Sequence, residues 1–191
     1  KAAQIAPIDT AIQRNLANAL RLNGQLQPAI KIFDGLIQAQ SADSDSRCLR
    51  AFARFSLGQF NEAWLDYRAR WKSNAHEDAR PFAQPYWDGQ DLNGKTLLIW
   101  GEQAVGDELM FATMLPELQS LGGQIIIETE HRLKTLLSRS LPTCSVIART
   151  NPPAPTLLGS HIDFQIAMGD IGQYLRPDLA AFKNGQPYLR A

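Results

Sequence analysis

The sequence has no excess charge of either sign, few cysteines and no long apolar run. Its 19 lysines and arginines balance its 19 aspartates and glutamates, whereas a protein that binds nucleic acid usually has a basic excess. No apolar run approaches the roughly 20 residues that a membrane-spanning helix needs. The first part of the chain lacks the continuous apolar segment of a signal peptide. We therefore expect a cytoplasmic protein with no nucleic-acid partner and no membrane span.

The residues that form metal sites and disulfide frameworks are also scarce. The chain has two cysteines, Cys48 and Cys144, far apart in the sequence, and three scattered histidines. Two isolated cysteines form neither a disulfide framework nor a zinc site. We predict two free thiols in a reducing compartment and no bound metal.

The first part of the chain contains two copies of one pattern. The segment GQLQPA at Gly24 is followed by GQFNEA at Gly58, an offset of 58 − 24 = 34 residues. Glycine suits the left-handed turn that ends many helices. At the same offset small and aromatic residues also match, namely Ala17 with Ala51, Ala29 with Ala63 and Phe33 with Tyr67. The pattern predicts helices over residues 11–22, 26–38, 46–57 and 60–72, and the alternative is a pair of helical hairpins with accidental spacing.

The second part of the chain predicts a parallel β-sheet. Short apolar segments at residues 96–100, 124–129, 145–148 and 163–166 alternate with helical patterns at 107–121, 131–139 and 168–175, and 187–190 is a further candidate strand. Such alternation is typical of a Rossmann-like half-domain. The predicted fold class is therefore α + α/β. We predict a helical region over residues 1–72, a linker over 73–94 and a sheet domain over 95–191.

The loop after the first predicted strand is the candidate site, because open α/β sheets bind ligands at the carboxyl ends of their strands. It has the sequence GEQAVGDE from Gly101 to Glu108. The two glycines have the spacing of a P-loop, but Asp107 and Glu108 stand where that loop has Lys and Ser or Thr. Two carboxylates would repel a triphosphate, so we reject a P-loop ATPase. The dinucleotide fingerprint G-x-G-x-x-G is absent as well.

Asp107 is the candidate catalytic residue of this loop. The N-terminus of a helix favours an ionised carboxylate, and an ionised aspartate that faces a cleft can act as a general base toward a hydroxyl. Acidic residues are also common at helix N-termini for purely structural reasons. The residues alone leave both interpretations open.

Residues 87–111, WDGQDLNGKTLLIWGEQAVGDELMF, resemble the start of the glycosyltransferase domain of bacterial tetratricopeptide-repeat proteins. That domain is similar to the lipopolysaccharide heptosyltransferases, and its GT-B fold and repeat-plus-enzyme layout are shared with O-linked N-acetylglucosamine transferase. The 34-residue pattern likewise resembles the tetratricopeptide repeat, so that the resemblance covers nearly the whole chain. Ala104 stands where the family has a glycine.

The resemblance implies that the chain is the acceptor-side half of a glycosyltransferase. In heptosyltransferases a Gly-Asp pair in this loop supplies the catalytic base, which implies that role for Asp107. It also implies that Glu102, Gln103 and Gly106 bind the acceptor, a protein or a glycan, and that the repeats bind a protein partner.

The nucleotide-sugar donor would bind to a second half-domain that is missing here. We therefore expect no cofactor on this chain, and we expect the isolated chain to be inactive. The alternative function is a non-catalytic scaffold for protein–protein interaction with a degenerate Rossmann-like domain.

Overall fold

The structure is a computed structural model that describes residues 9–73, 79–159, 161–182 and 187–190. The chain divides into two compact units. The first comprises residues 1–78 and 176–180, and the second comprises residues 79–175 and 181–191. The first is helical and the second contains a four-stranded parallel sheet. The predicted combination of helical and α/β architecture is confirmed at this level.

The helical unit contains two helix–turn–helix pairs. Helices α1 (Thr10–Leu22) and α2 (Leu26–Ala39) form the first pair, and α3 (Ser44–Ser56) and α4 (Phe60–Tyr67) form the second, followed by a 3-10 helix, Arg68–Lys72. The turns contain Gly24 and Gly58, whose φ angles of 75° and 74° are left-handed. Both glycines therefore stand where the sequence predicted them, at positions that a side chain would strain.

The residues that match at the 34-residue offset are buried in the helical unit. Ala17, Ala29, Ala51 and Ala63 are completely buried. The matched aromatic residues, Phe33 and Tyr67, are also buried. Small side chains at these positions let neighbouring helices approach closely, so the sequence pattern has a direct packing explanation.

Aspartates cap two of the helices, and one of these aspartates also binds a side chain of another helix. Asp9 caps α1 by accepting hydrogen bonds from the N–H groups of Ala11 and Ile12. Asp43 caps α3 through the Ser46 N–H at 2.9 Å and also accepts from Arg14 of α1. Burial acts to raise the pKa of Asp43, but these partners outweigh it and lower the pKa overall.

The sheet unit contains strands β1 (Thr96–Trp100), β2 (Gln124–Thr129), β3 (Ser145–Ala148) and β4 (Phe164–Ala167). All pairs are parallel and the order is β3-β2-β1-β4. The helices are α5 (Val105–Ala112), α6 (Leu115–Gln119), α7 (Lys134–Ser140) and α8 (Gly172–Leu175), with 3-10 helices at His131–Leu133, Pro155–Leu157, Met168–Ile171 and Leu179–Phe182. The first three strands match the predicted bounds, and the fourth begins one residue later.

The single helix predicted over residues 107–121 is wrong. The structure has α5 and α6 instead, with a break at Thr113 and Met114. Pro116 lies in the first turn of α6. A proline has no N–H to donate and its ring collides with the carbonyl four residues earlier, so a continuous helix cannot pass through it.

The strand predicted over residues 187–190 is also wrong. The Arg190 N–H donates to Ser140 Oγ at 2.9 Å, and the Tyr188 hydroxyl donates to the Leu109 carbonyl at 2.6 Å. This segment therefore binds helical residues instead of pairing with the sheet.

Residues 79–94, predicted within the linker, pack with the sheet unit. The Trp87 N–H donates to the Gln165 carbonyl and the Gln165 N–H donates to the Pro85 carbonyl, each at 2.9 Å. Trp87 and Leu92 are buried. This short extended segment thus covers the outer edge of β4. Among the helices that the structure describes, none is both long and apolar enough to cross a membrane.

Candidate functional site

The candidate site lies where the strand order changes direction. The chain runs from β1 to β2 to β3 on one side of β1 and then places β4 on its other side. In doubly wound sheets the crevice at the carboxyl ends beside such a reversal is the usual ligand site. The loop after β1 and the 3-10 helix Met168–Ile171 after β4 meet there.

Glu102, the first acidic residue of the loop, lies inside this crevice. Its side chain is buried, and its Oε1 accepts the Gly169 N–H at 2.8 Å. A Cβ atom on Gly169 would collide with that oxygen. The structure therefore places Glu102 across the carboxyl ends of β1 and β4, where it joins the two loops.

Gln103 is exposed and has an unusual backbone conformation. Its φ of 59° is left-handed, which costs a residue other than glycine about 1 kcal/mol. Its side-chain amide donates to Glu102 Oε2 at 3.2 Å. Backbone strain of this kind is found preferentially at functional sites, so the conformation supports a role for this loop.

Gly106 and Asp107 lie in the first turn of α5. Asp107 Oδ2 accepts the Ala104 N–H at 3.1 Å, which is half of a capping box, because the methyl group of Ala104 cannot accept a hydrogen bond in return. Asp107 is half-buried and Gly106 is exposed. A Cβ built on Gly106 would have no heavy atom within 4 Å, so the space directly beside this glycine is open.

Glu108 has completely different surroundings from its neighbour Asp107. It is fully buried, and its carboxylate accepts hydrogen bonds from the Thr129 hydroxyl, the Glu130 N–H and Arg149. Burial raises the pKa of Glu108 above its usual value, although these three groups oppose the rise. A Cβ on Gly101 would overlap this carboxylate. Glu108 thus contacts the residues that follow three neighbouring strands.

Arg80 and Arg149 belong to the same edge but were not predicted from the sequence. Arg80 binds the fully buried Glu128 through Nε at 2.9 Å and Nη2 at 2.6 Å, and Nη2 also donates to the Thr150 carbonyl at 2.8 Å. Arg80 precedes β1, and Arg149 directly follows β3. No motif connects these arginines to their carboxylates, because the pairs are distant in sequence.

The carboxyl edge thus has one carboxylate in the loop that is not fully buried, that of Asp107. Glu102 and Glu108 are buried in contacts with the protein, whereas Asp107 is only half-buried. Across the described parts of the chain, no cluster of three or more His, Cys, Asp or Glu side chains is arranged to hold a metal ion.

Comparison with known proteins gives one relative. The chain is 32% identical over 204 residues to Protein FlbA of Caulobacter vibrioides, and the match covers 98% of this chain and 34% of that protein. The chain therefore spans about a third of the length of this relative. No family model matches the chain, and no solved structure matches it.

These comparisons overturn the family predicted from the sequence. The resemblance to tetratricopeptide-repeat proteins with a GT-B glycosyltransferase domain is wrong as a family assignment, because the relative found is Protein FlbA and no family model matches. The structure itself shows eight α-helices and a small parallel sheet among the described residues. What remains is a distant similarity to Protein FlbA.

Proposed function

We propose that this chain is the acceptor-side half of an enzyme that transfers a sugar from a nucleotide-sugar donor to an acceptor hydroxyl. Asp107 is the general base of the transfer, and Glu102, Gln103 and Gly106 shape the acceptor site around it. In this proposal the helical hairpins have the tetratricopeptide geometry, and the sheet unit is one half of a GT-B pair. The chemistry of the loop, and not family membership, supports this role.

The observation that carries the proposal is that Asp107 is the one carboxylate of this loop that is only half-buried. Of the three carboxylates between Gly101 and Glu108, the other two are buried in contacts with Gly169, Thr129 and Arg149. Asp107 Oδ2 accepts one backbone N–H, which leaves Oδ1 for the proton of an acceptor hydroxyl. A general base needs such an oxygen within hydrogen-bonding reach of the proton that it removes.

The donor and the partners follow from the same proposal. The donor-binding half belongs to the part of the protein outside this chain, and the acceptor is a hydroxyl of a protein or a glycan. The helical unit recognises the acceptor or a further protein partner. Cys48 and Cys144 are free thiols, which agrees with a reducing compartment, so we propose the cytoplasm.

The proposal is tested by replacing Asp107 in the full-length protein. Asp107→Asn keeps the side-chain shape and removes the base. Asp163→Asn is the matched control, because Asp163 also accepts one backbone N–H, from Thr96 at 2.9 Å, but lies at the opposite end of the sheet. Nucleotide release is measured with a panel of nucleotide sugars.

We expect Asp107→Asn to lower kcat by about 100- to 10,000-fold, the usual contribution of a general base. The Asp163→Asn variant should retain the native rate. Equal rates for the native protein and Asp107→Asn would reduce Asp107 to a helix cap and reject the proposed base.

The second candidate function is a scaffold for protein–protein interaction, in which the sheet unit has no catalytic role. It is favoured by the position of Glu102, whose buried side chain occupies the crevice where a substrate would otherwise bind. A native full-length protein that releases no nucleotide from any donor would support this function over the first.

A further inference from the structure

Glu108 is the group that joins the first turn of α5 to the carboxyl edge of the sheet. One carboxylate oxygen accepts from the Thr129 hydroxyl and from the Glu130 N–H, the latter at 3.1 Å, both at the end of β2. The other oxygen pairs with Arg149 after β3. Gly101, at the end of β1, lies so close that it has no room for a Cβ atom. Glu108 therefore touches three loops at once.

Asp107 is connected to Glu108 through the backbone of the loop and the first helical turn. The Glu108 N–H and the Asp107 N–H both donate to the Ala104 carbonyl, at 3.1 Å and 3.0 Å, and Asp107 Oδ2 accepts the Ala104 N–H. The loop and the first helical turn thus form one hydrogen-bonded unit. The side chain of Glu108 attaches that unit to the sheet.

A buried ion pair is a poor choice if stability is the only requirement. The cost of removing both charges from water is often as large as their attraction, so an apolar pair of similar volume stabilises a protein equally well or better. What Glu108 offers beyond an apolar residue is directed hydrogen bonds to three partners. Supporting groups of this kind hold functional side chains in productive positions.

We infer that Glu108 is a positioning residue, which holds Asp107 at the place where it meets the acceptor hydroxyl. This inference rests on the proposed function for its catalytic consequence, but the positioning itself is measurable without any substrate. Glu108 does not contact the substrate, because its side chain is fully buried.

Two variants distinguish the effect of the size of the Glu108 side chain from the effects of its charge and its length. Glu108→Gln keeps the size of the side chain but directs an amide group toward Arg149 or toward the donors of β2. Glu108→Asp keeps the charge but is one methylene shorter, so it cannot reach Arg149 and the end of β2 together. The control is Glu128→Gln, which changes a second fully buried carboxylate on the same edge, paired with Arg80.

The first measurement uses this chain and the amide NMR signal of Ala104. In the native protein this signal should show the downfield shift of a hydrogen-bonded amide, because the Ala104 N–H donates to the Asp107 carboxylate. We expect the shift to be lost in Glu108→Gln and Glu108→Asp and retained in Glu128→Gln. A shift that survives in both Glu108 variants would overturn the inference.

The second measurement is transfer by the full-length protein. A displaced base should lower kcat by up to about a hundredfold, since a misplacement of 1 Å has an effect of this size, with the KM for the donor unchanged. Glu128→Gln should keep the native kcat. Equal losses in Glu108→Gln and Glu128→Gln would show a purely structural role and reject the inference.

The two measurements also separate this inference from the proposed function. If the native protein transfers no sugar but the Ala104 shift is lost in both Glu108 variants, Glu108 positions Asp107 and the proposed function is rejected. If transfer depends on Asp107 but the Ala104 shift survives in both variants, the proposed function stands and the positioning role is rejected.

Discussion

The two ends of the sheet differ sharply in how they hold charge. At the carboxyl end four carboxylates are buried, those of Glu102, Glu108, Glu128 and Asp170. At the amino end Asp163 accepts the Thr96 N–H and pairs with Lys95 at 3.0 Å, and the side chains of this pair are 32% and 48% exposed. One sheet therefore has an ordinary surface ion pair at one end and a buried charge network at the other.

This difference shows at which end of the sheet the burial of charge opposes stability. A buried charge is costly unless it is paired and hydrogen-bonded, whereas an exposed pair contributes little in either direction. The carboxyl end has the costly arrangement, and it is also the end where α/β sheets bind their ligands. We therefore take the buried Glu102 and Glu108 of this end as the support of the proposed site.

The largest expected effect comes from removing one member of a buried pair. Arg80→Gln should lower the free energy of unfolding by about 3–5 kcal/mol, because it leaves the buried charge of Glu128 uncompensated. Lys95→Gln, at the amino end, should leave stability nearly unchanged. Urea unfolding followed by circular dichroism measures both. Similar losses in the two variants would mean that the ends of the sheet do not differ in the way described.

A smaller effect is expected from filling the space beside Glu108. Gly101→Ala should cost about 1–3 kcal/mol, as is typical when an extra methyl group overpacks a filled site, because the new Cβ would overlap the Glu108 carboxylate. Gly106→Ala, in the same loop, meets no neighbouring atom and should be neutral or slightly stabilising. The same unfolding experiment tests both, and a neutral Gly101→Ala would show that the contact adapts easily.

The smallest effect is a difference in the pH dependence of stability. The pKa of Asp163 is lowered, chiefly by the hydrogen bond from the Thr96 N–H and then by Lys95. Its contribution is present above the usual value of 3.8 and is lost as the pH falls through the lower folded value. The pKa of Glu108 is raised by burial, so the native protein should lose stability as the pH rises from 4.5 through the higher folded value.

Unfolding curves at a series of pH values show how the stability contributed by each of these two carboxylates changes with pH. Relative to Asp163→Asn, the native protein should lose stability as the pH falls below 3.8. Relative to Glu108→Gln, it should lose stability as the pH rises above 4.5. Slopes of the same sign would contradict the opposite environments of these two carboxylates.

The elements of the fold were largely predictable, because their signals are local. Short apolar runs between turn residues gave three strands with the correct bounds, and Gly24 and Gly58 identified the turns. Pro116 was a local signal for the break between α5 and α6 that the prediction over residues 107–121 overlooked. The candidate strand over 187–190 was wrong because an apolar run does not reveal whether its backbone pairs with a sheet or with side chains.

The sequence predicted the loop of the candidate site, and the roles of its residues stay predictions. The strand–loop–helix pattern predicted a site at Gly101–Glu108, but it did not distinguish the buried Glu108 from the half-buried Asp107. That distinction depends on Thr129 and Arg149, which lie 21 and 41 residues away. The partnership of Arg80 and Glu128 spans 48 residues. Contacts of this range leave no trace in the spacing of a single sequence, and the resemblance to a known family did not supply them.

The extended segment at Pro85–Trp87 has a consequence for how the sheet unit folds. It precedes all four strands of the described sheet, yet its backbone partner is Gln165 in β4, the last of these strands along the chain. The inner strand β1 likewise pairs with β4 only after the chain has passed through β2 and β3. Bringing distant parts of a chain together costs conformational entropy before the stabilising contacts between them form, and parallel sheets fold slowly for this reason. Trp87 is therefore a natural fluorescent reporter of late events, because its burial requires both ends of this unit to have met.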